Sequence, residues 1–351
     1  MIARRVLTIT MIALLCGFFI SCSKSNTEKS ADVIHLSGAG ATFPAPLYKK
    51  WIEEYQNKQP SVAITYKPVG SGEGVKQFAQ YEVDFAASDA AMSDEQIAEV
   101  KRGVKLIPAT AGIIVLAYNI KDLNGQLRLP REVYADIFGG KIKYWDDPRI
   151  KKANPDLNLP SKQILLVTRQ DSSGTTFAFT NHLGSISQEW IHQGPGIGKA
   201  VNWPINAMAA RGNEGVAGRI KLSEGAIGYV EYGFAKRAVL QMAWLENKTG
   251  RFVEPLPTSG QAALSSSQEE IPPNLRMFFP DPPGDDSYPI VTYSWILLYG
   301  QYPDTQKADA LKEFIKWGIT EGQQYSEAIG YCKVPSRLVG LALKALEEIR
   351  P

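Results

Sequence analysis

The stretch VIHLSGAGATFPAPLYKKWIEEY, residues 33–55, contains one complete strand–loop–helix unit. Its first four residues predict a β-strand, and the loop that follows, residues 38–44, is built mainly from small residues. From Leu47 to Tyr55, apolar side chains recur at helical spacing, so an amphipathic helix follows the loop. A strand that leads through a short loop into a helix predicts one unit of an α/β fold.

The same pattern recurs along the chain. Ser93 and Gln96 have the form of a capping box for a helix to about Arg102, and Asn213 is predicted to cap a helix through Leu222. Eight prolines between residues 255 and 289 predict a region that is mostly loop. Further strands are predicted at residues 62–66, 83–89, 111–120, 164–168, 225–232 and 288–300. Further helices are predicted after Gly74, from Pro130 to Gly139, around Leu311 to Gly318, and from a cap at Ser336. This alternation predicts open, largely parallel sheets.

The first 21 residues have the form of a secretory signal peptide. Two arginines precede an apolar stretch, Val6–Ile20, that is short for a permanent membrane span. The tail FISC resembles a lipobox, which predicts that Cys22 is lipidated and anchors the exported chain to a membrane. An ordinary cleaved signal with an incidental cysteine is the alternative. Residues 22–30 are then a short solvated tether.

Charge and cysteine content limit the classes of function. The chain of 351 residues has 38 Lys+Arg and 36 Asp+Glu, and the leader carries two arginines and no acid, so the remainder is formally neutral at 36 against 36. A neutral chain lacks the concentrated basic face that a nucleic-acid partner requires. The three cysteines form no disulfide framework, and Cys332 is predicted to be a buried, inert thiol. The length after the leader predicts two lobes with separate cores.

Three predicted junctions between a strand or its loop and a helix share a composition that suits an anion. Residues 40–43, 70–72 and 172–175 each offer small residues, a hydroxyl and free backbone N–H groups where a helix begins. Any one of them could be an ordinary turn. Arg169, which precedes the third loop, supplies a forked donor for an oxyanion, and Asp171 could orient it or could belong to a surface ion pair. Together these features predict a pocket for a small oxygen-rich anion.

Six ordered motifs resemble those of the bacterial phosphate-binding proteins that serve the high-affinity phosphate ABC transporter. They are GAGATFPAPLYKKW (38–51), VGSGEGVKQF (69–78), DFAASDAAMSDEQ (84–96), GKIKYWDDPRI (140–150), SSGTTFAFT (172–180) and GAIGYVEY (225–232). The resemblance is weaker over residues 235–289. It implies a periplasmic-binding-protein-like α/β fold of two lobes, each with a mixed or mostly parallel sheet flanked by helices, and a ligand cleft between them. Lobe 1 would comprise residues 31–110 plus 287–351, and lobe 2 residues 111–286.

The resemblance also implies a set of phosphate ligands. Asp171 matches the residue that pairs with the family's arginine, Ser172 replaces a common glycine, and Glu73 must point away from the anion. No catalytic residue, metal or cofactor is implied. The residues that match the family's ligands are Thr42, Phe43, Ser71, Asp89, Arg169, Ser173, Gly174 and Thr175.

Asp89 needs a physical reason, because a carboxylate that faces an anion is normally unfavourable. The cost is removed if the anion carries a proton and donates it to Asp89. Phosphate carries such a proton near neutral pH, whereas sulfate does not. Against sulfate the pocket would hold an unsatisfied buried acceptor, which costs about 1–3 kcal/mol. Asp89 therefore predicts selection of phosphate by repulsion of fully ionised anions.

The resemblance implies a monomeric, exported protein that closes over inorganic phosphate and delivers it to the permease subunits of an ABC transporter. Three alternatives remain open: binding of another oxyanion such as sulfate or molybdate, a role as a phosphate sensor or surface lipoprotein, and hydrolysis of phosphoesters. An enzyme is disfavoured because the sequence has only three histidines and no G-x-S-x-G or H-E-x-x-H motif. His182 is expected to lie on a helix, either at the protein surface or in the protein core, and not to be catalytic.

Overall fold

The computed structural model describes residues 33–204, 206–267 and 271–351. The predicted signal peptide, the tether with Cys22 and the first two residues of lobe 1 lie outside these ranges. The chain from Val33 to Pro351 forms a compact unit of its own. Within the described residues, no helix has both the length and the apolar character that crossing a bilayer requires.

Nine strands of the described chain belong to one sheet in the order β2-β1-β3-β12-β4-β8-β6-β7, with β9 paired to β4. The other three form a small sheet in the order β11-β10-β5. The strands are β1 (Ile34–Gly40), β2 (Val62–Pro68), β3 (Phe85–Ser88), β4 (Val104–Tyr118), β5 (Arg128–Leu129), β6 (Leu165–Arg169), β7 (Met208–Ala210), β8 (Ala226–Glu231), β9 (Gln241–Met242), β10 (Trp244–Glu246), β11 (Phe252–Val253) and β12 (Val291–Tyr299).

Helices flank the large sheet and follow most of its strands. A 3-10 turn at Glu321–Tyr325 joins two of the C-terminal helices. The helices are α1 (Ala45–Lys58), α2 (Ser71–Ala79), α3 (Asp94–Ala98), α4 (Arg131–Phe138), α5 (Pro148–Ala153), α6 (Gly174–Ile186), α7 (Gln188–His192), α8 (Gly212–Leu222), α9 (Tyr232–Arg237), α10 (Pro257–Ser266), α11 (Thr305–Ile319), α12 (Ser326–Ile329) and α13 (Ser336–Glu347).

Strand β4 belongs to two lobes at once. Its residues up to Ile113 pair with β12, and its residues from Ile114 onward pair with β8, both antiparallel. In the first lobe β1 is parallel to β2 and β3, and in the second lobe β6 is parallel to β7 and β8. Every residue of β4 from Leu106 to Tyr118 is buried, as expected for a central strand covered on both faces. The α/β fold with mixed sheets that the sequence predicts is confirmed.

The start of β4 differs from the prediction. The strand was expected after Pro108 but begins at Val104 and passes through the proline. Proline cannot donate to a strand ladder and is normally confined to edges or bulges. Here the register with β12 shifts between Ser294 and Trp295, opposite Pro108, so the missing N–H falls at an irregularity of the ladder.

Several helix boundaries also differ from the predictions. The capping box of Ser93 and Gln96 is present, but α3 ends at Ala98 rather than near Arg102, because the chain turns through Gly103, with φ of +71°, into β4. The proline-rich region contains helix α10, which starts at a proline in its first turn. Ser336 is the first residue of α13 rather than its cap.

Asn213 was predicted to cap α8, and this prediction is wrong. The residue at the N-cap position is Arg211, and Asn213 is the second residue of the helix. Its side chain is fully buried and contacts two threonines instead of the helix's own N–H groups.

Cys332 is buried, as predicted, next to α10. Burial raises the pKa of its thiol to about 12, so the thiolate that reacts with oxidants and electrophiles is scarce at neutral pH.

Candidate anion-binding site

The N-terminal ends of four helices meet between the two lobes. Helices α1 and α2 approach from the first lobe, and α6 and α8 approach from the second. Gly174 of α6 lies against Ser71 of α2, and Gly212 of α8 lies against Thr42 before α1. The ends of these helices carry the positive pole of the helix dipole and N–H groups without intrahelical partners. Their convergence creates a positive local field without adding a charged side chain.

Several buried backbone N–H groups at this junction find no acceptor in the part of the chain that the structure describes. Buried N–H groups are almost always paired in folded proteins, so several at one place indicate a site for an external acceptor. They come from three different loops and from both lobes. The unpaired groups belong to Thr42, Phe43, Ser71, Gly174 and Thr175.

Arg169 ends strand β6, and its side chain is only 2 % exposed. Its Nε donates to Oδ1 of Asp171 at 2.8 Å, and one terminal nitrogen donates to Oδ2 of the same carboxylate. The other terminal nitrogen lies 3.4 Å from Oγ1 of Thr175. Asp171 therefore fixes the plane of the guanidinium, and each terminal nitrogen keeps an N–H for which the described residues provide no acceptor.

Asp171 also accepts a hydrogen bond from the backbone N–H of Gly212 at 2.9 Å, so it ties Arg169 to the start of α8. Burial alone would raise the pKa of this carboxyl. The hydrogen bond and charge of Arg169 outweigh that effect, and the pKa lies below its ordinary value. Asp171 is therefore ionised at neutral pH and neutralises part of the charge on the guanidinium.

Asp89 follows β3 and is 1 % exposed. Its Oδ1 accepts from the hydroxyl of Ser294 at 2.8 Å, and its Oδ2 accepts from the hydroxyl of Thr175 at 3.3 Å. Burial raises the pKa of this carboxyl to about 7, although these hydrogen bonds and the charge of Arg169 act in the opposite direction. The site thus combines one buried cation with a carboxyl that changes its charge near neutral pH.

Two serine hydroxyls at the junction each accept a hydrogen bond from a backbone N–H, which leaves their own proton free to donate elsewhere. Oγ of Ser71 accepts from the N–H of Asp89 at 3.3 Å, and Oγ of Ser173 accepts from the N–H of Thr176 at 3.1 Å as the N-cap of α6. Within the described chain neither hydroxyl proton has an acceptor. Both protons remain available to donate to an anion between the lobes.

Glycines allow the two lobes to approach closely. A Cβ atom on Gly174 would lie 2.5 Å from Oγ of Ser71 and 2.7 Å from the backbone nitrogen of Asp89. Across the same junction, the N–H of Gly72 donates to the carbonyl of Ser172 at 2.9 Å. Side chains at these glycines would hold the lobes apart.

The eight residues predicted as ligands, together with Asp171, are thus brought to one place by the fold. Sequence reasoning missed two further participants, Asn213 and Ser294. Asn213 contacts Thr42 and Thr175, and Ser294 on β12 supports Asp89 from behind. The sequence carried no local signal for either role, because each acts on a residue more than thirty positions away.

The other residues singled out from the sequence lie outside the anion junction or point away from it. The carboxylate of Glu73 accepts from Gln77 on its own helix at 2.9 Å. His182 is buried on α6, where Nε2 pairs with the hydroxyl of Tyr134 at 2.8 Å and Nδ1 with the carbonyl of Pro280 at 2.6 Å. Burial lowers the pKa of His182 to about 4. Among the described residues no cluster of three or more His, Cys, Asp or Glu side chains is placed to hold a metal.

A cavity of about 910 Å³ opens beside the site, between α1 and β2 on one side and α8 and α9 on the other. Thr42 and Asn213 form the part of its wall nearest the anion junction. Three basic side chains and one acidic side chain also line it: Lys49, Arg211, Arg237 and Glu214. An anion that enters the junction through this cavity would pass a net positive lining.

A sequence model of the family described as PBP superfamily domain matches residues 25–321. Among solved structures, a high-affinity periplasmic phosphate-binding protein (PfluDING) bound with phosphate is 19 % identical, with a TM-score of 0.73 over 88 % of this chain and 92 % of that chain. A phosphate-binding protein from Stenotrophomonas maltophilia is 20 % identical, with a TM-score of 0.72 over 89 % of this chain and 94 % of that chain. At these identities the likeness shows the two-lobe fold.

Curated relatives are considerably more similar in sequence. The phosphate-binding protein PstS of Methanocaldococcus jannaschii is 38 % identical over 93 % of this chain and 89 % of the relative. The protein of the same name from Pasteurella multocida is 37 % identical over 94 % and 92 %, and that from Haemophilus influenzae 38 % over 88 % and 91 %. The chain belongs to the PBP superfamily and, within it, to the family of the PstS proteins.

Proposed function

We propose that this protein binds inorganic phosphate outside the cytoplasmic membrane and delivers it to the permease of an ABC transporter. The observation that carries the proposal is the composition of the junction: five backbone N–H groups that have no acceptor among the described residues and a buried guanidinium lie together with one buried carboxyl. Many donors and a single acceptor suit an oxyanion that still carries one proton. The names of the PstS relatives support the same ligand.

We assign the ligand roles as follows. Arg169 provides two N–H donors, and Asp89 accepts the proton of the phosphate. Backbone N–H groups donate from Thr42, Phe43, Ser71, Gly174 and Thr175, and hydroxyls donate from Thr42, Ser71 and Ser173. Asp171 orients Arg169 without touching the anion. The contacts of Asp171 and the burial of Asp89 support these assignments.

We infer that closure of the two lobes retains the anion. The proposed boundaries place residues 31–110 and 287–351 in one lobe and 111–286 in the other, with crossings near Thr110 and residues 288–291. The change of strand partner at Ile113 and Ile114 supports this division, as does the hydrogen bond from Ile114 to the carbonyl of Ile290. Donors for the anion come from both lobes, so the bound anion would favour the closed arrangement.

A role in binding is favoured over phosphoester hydrolysis. Both ring nitrogens of His182 are engaged by Tyr134 and Pro280, so this histidine is not available as a base for a reaction in the cleft. The curated relatives are named as binding proteins. Binding of sulfate or molybdate instead is disfavoured by Asp89, since a fully ionised anion has no proton to donate and would be repelled by the ionised carboxylate.

We also propose that Cys22 is lipidated and that residues 22–30 tether the domain to a membrane. The leader pattern of residues 1–21 supports this assignment. The expected result is a mass shift at the N-terminal cysteine and partition of the expressed protein into detergent. A Cys22→Ala variant that partitions in the same way would refute the anchor.

Calorimetric titration of residues 30–351 with phosphate at pH 8 tests the ligand. This range contains the compact unit that begins at Val33. Tight one-to-one binding is expected, and loss of most of that affinity in an Arg169→Gln variant. If phosphate produces no heat and no protection against unfolding, the proposed ligand is wrong. Delivery is tested by adding the phosphate-loaded domain to membrane vesicles that contain the cognate permease, where phosphate uptake should require the domain.

A further inference from the structure

The side chain of Asn213, in the first turn of α8, has an unusual orientation. Asparagines near the start of a helix commonly cap it, but the side chain of Asn213 is 0 % exposed and points across the junction of the two lobes. Its Nδ2 donates to Oγ1 of Thr42 at 3.0 Å and to Oγ1 of Thr175 at 3.3 Å. Thr42 belongs to the first lobe and Thr175 to the second, so one amide group joins both.

The orientation of this amide is determined by its third partner. The backbone N–H of Glu231 donates to Oδ1 of Asn213 at 3.0 Å. If the amide were turned over, two N–H groups would face each other and the threonine oxygens would lose both donors. Glu231 is itself fully buried and held at the start of α9, where its carboxylate accepts from the N–H of Gly233 at 2.8 Å. Both N–H bonds of the amide are thereby directed at the threonines.

This arrangement determines what the hydroxyl of Thr42 can do. Its oxygen accepts from the side chain of Asn213 and also from the backbone N–H of Asn213 at 3.2 Å. A hydroxyl oxygen has two accepting positions and one proton, so both accepting positions are filled. Within the described residues the proton has no acceptor. Asn213 therefore converts Thr42 into a pure donor beside the predicted anion.

The hydroxyl of Thr175 is constrained in a similar way. Its oxygen accepts from Asn213 and from the guanidinium of Arg169, and its proton points to Oδ2 of Asp89. Both accepting positions of the Thr175 oxygen are therefore filled, and its proton can only be directed at Asp89. The same amide thus sets the direction of donation for one hydroxyl in each lobe.

We propose that Asn213 is a positioning residue that holds the lobes closed, orients the hydroxyl of Thr42 as a donor to the anion and directs the hydroxyl of Thr175 at Asp89. The identity of the anion as phosphate rests on the proposed function. The contacts with Thr42 exist only when the lobes are together, so Asn213 stabilises the closed state and not the encounter between open protein and anion. Its loss is expected to increase the dissociation rate and to leave the association rate unchanged.

The test compares Asn213→Ala with wild type in two measurements on residues 30–351. Stopped-flow kinetics with inorganic phosphate should show dissociation about tenfold to hundredfold faster, because the side-chain hydrogen bond to Thr42 across the lobes and the orientation of two hydroxyls are lost. The association rate should stay within about twofold. Energy transfer between dyes on Glu53→Cys and Arg219→Cys, one on each lobe, should show a larger open fraction without phosphate.

Asn247→Ala is the matched control. Asn247 is equally buried, and its Nδ2 donates to three backbone carbonyls in the loop of residues 284–287, away from the anion junction. This variant should lose stability but keep wild-type dissociation and the wild-type open fraction. If Asn213→Ala dissociates at the wild-type rate, or if Asn247→Ala changes dissociation equally, the positioning role is wrong.

The dye measurement separates this inference from the ligand assignment. A wild-type protein that does not bind phosphate would overturn the proposed function. The role of Asn213 in closure would then be judged by the open fraction alone, and an unchanged distribution in Asn213→Ala would overturn that role as well.

Discussion

Replacement of Asp89 by asparagine should stabilise the ligand-free protein, and increasingly so as the pH rises. Burial moves the pKa of Asp89 from 3.8 to about 7, which corresponds to about 4 kcal/mol of unfavourable free energy for the ionised form in the folded state. Asparagine has the same shape and can still accept from Ser294 through Oδ1, whereas the hydrogen bond from the hydroxyl of Thr175 is lost. The variant therefore removes the buried charge at the cost of one hydrogen bond, which costs about 1 kcal/mol and does not depend on pH.

The sign of the pH dependence follows from the proton count. Between pH 3.8 and 7 the folded protein retains a proton on Asp89 that the unfolded chain has lost, so the contribution of this group to stability falls as pH rises and levels off above 7. The free energy of unfolding of Asp89→Asn minus that of wild type should grow by about 2.5 kcal/mol between pH 5 and pH 8.

The assay is urea unfolding at 25 °C in phosphate-free buffer, followed by tryptophan fluorescence and circular dichroism at several pH values. Asp171→Asn is the control: the pKa of Asp171 lies below its ordinary value of 3.8, so its stabilisation is lost only as pH falls below that value and the difference from wild type should stay constant from pH 5 to pH 8. A difference between Asp89→Asn and wild type that stays constant from pH 5 to pH 8 would refute the reasoning about the buried charge.

Three further predictions concern binding. Gly174→Ala should abolish tight phosphate binding while each lobe remains folded, because the added Cβ would lie 2.5 Å from Oγ of Ser71 when the lobes close; small-angle scattering that shows a normal closed form with phosphate would contradict this. Arg169→Lys should weaken phosphate binding about a hundredfold in calorimetry, because lysine cannot pair with Asp171 and still present a forked donor; an affinity within threefold of wild type would argue against the assigned role. Sulfate should bind wild type ~50-fold more weakly at pH 9 than at pH 7, since only protonated Asp89 can donate to it and its pKa is about 7; a flat pH profile would exclude that mechanism.

Local sequence patterns were sufficient for most of the α/β framework. The strand and helix of residues 33–55 could be predicted because one face of α1 carries the buried Leu47, Tyr48, Trp51 and Tyr55 at helical spacing. The path of β4 through Pro108 could not, because the irregularity that accommodates the proline is created by its pairing with β12. Helix α10 did leave a local signal, a proline at its start, which the high proline content of the region concealed.

The sequence predicted only those residues of the site that belong to the six family motifs or to the pair Arg169 and Asp171. Arg169 and Asp171 are two residues apart, and their pairing could be proposed as one of two interpretations from spacing. Asn213 is 171 residues from Thr42, and Ser294 is 205 from Asp89, so their contacts depend on how the two lobes and strand β12 are assembled. An asparagine at the start of a helix also has a common local explanation as a cap, which concealed the contacts of Asn213 with Thr42 and Thr175.

The most direct test of the central claim is a calorimetric comparison of phosphate and sulfate at pH 8 on wild type and Asp89→Asn. At this pH most of Asp89 is ionised, since its pKa is about 7, and the carboxylate can accept a proton from phosphate but not from sulfate. Wild type should bind phosphate tightly and sulfate far more weakly, and the variant should lose about tenfold to hundredfold of that preference. Equal binding of both anions by wild type, or an unchanged preference in the variant, would contradict the account.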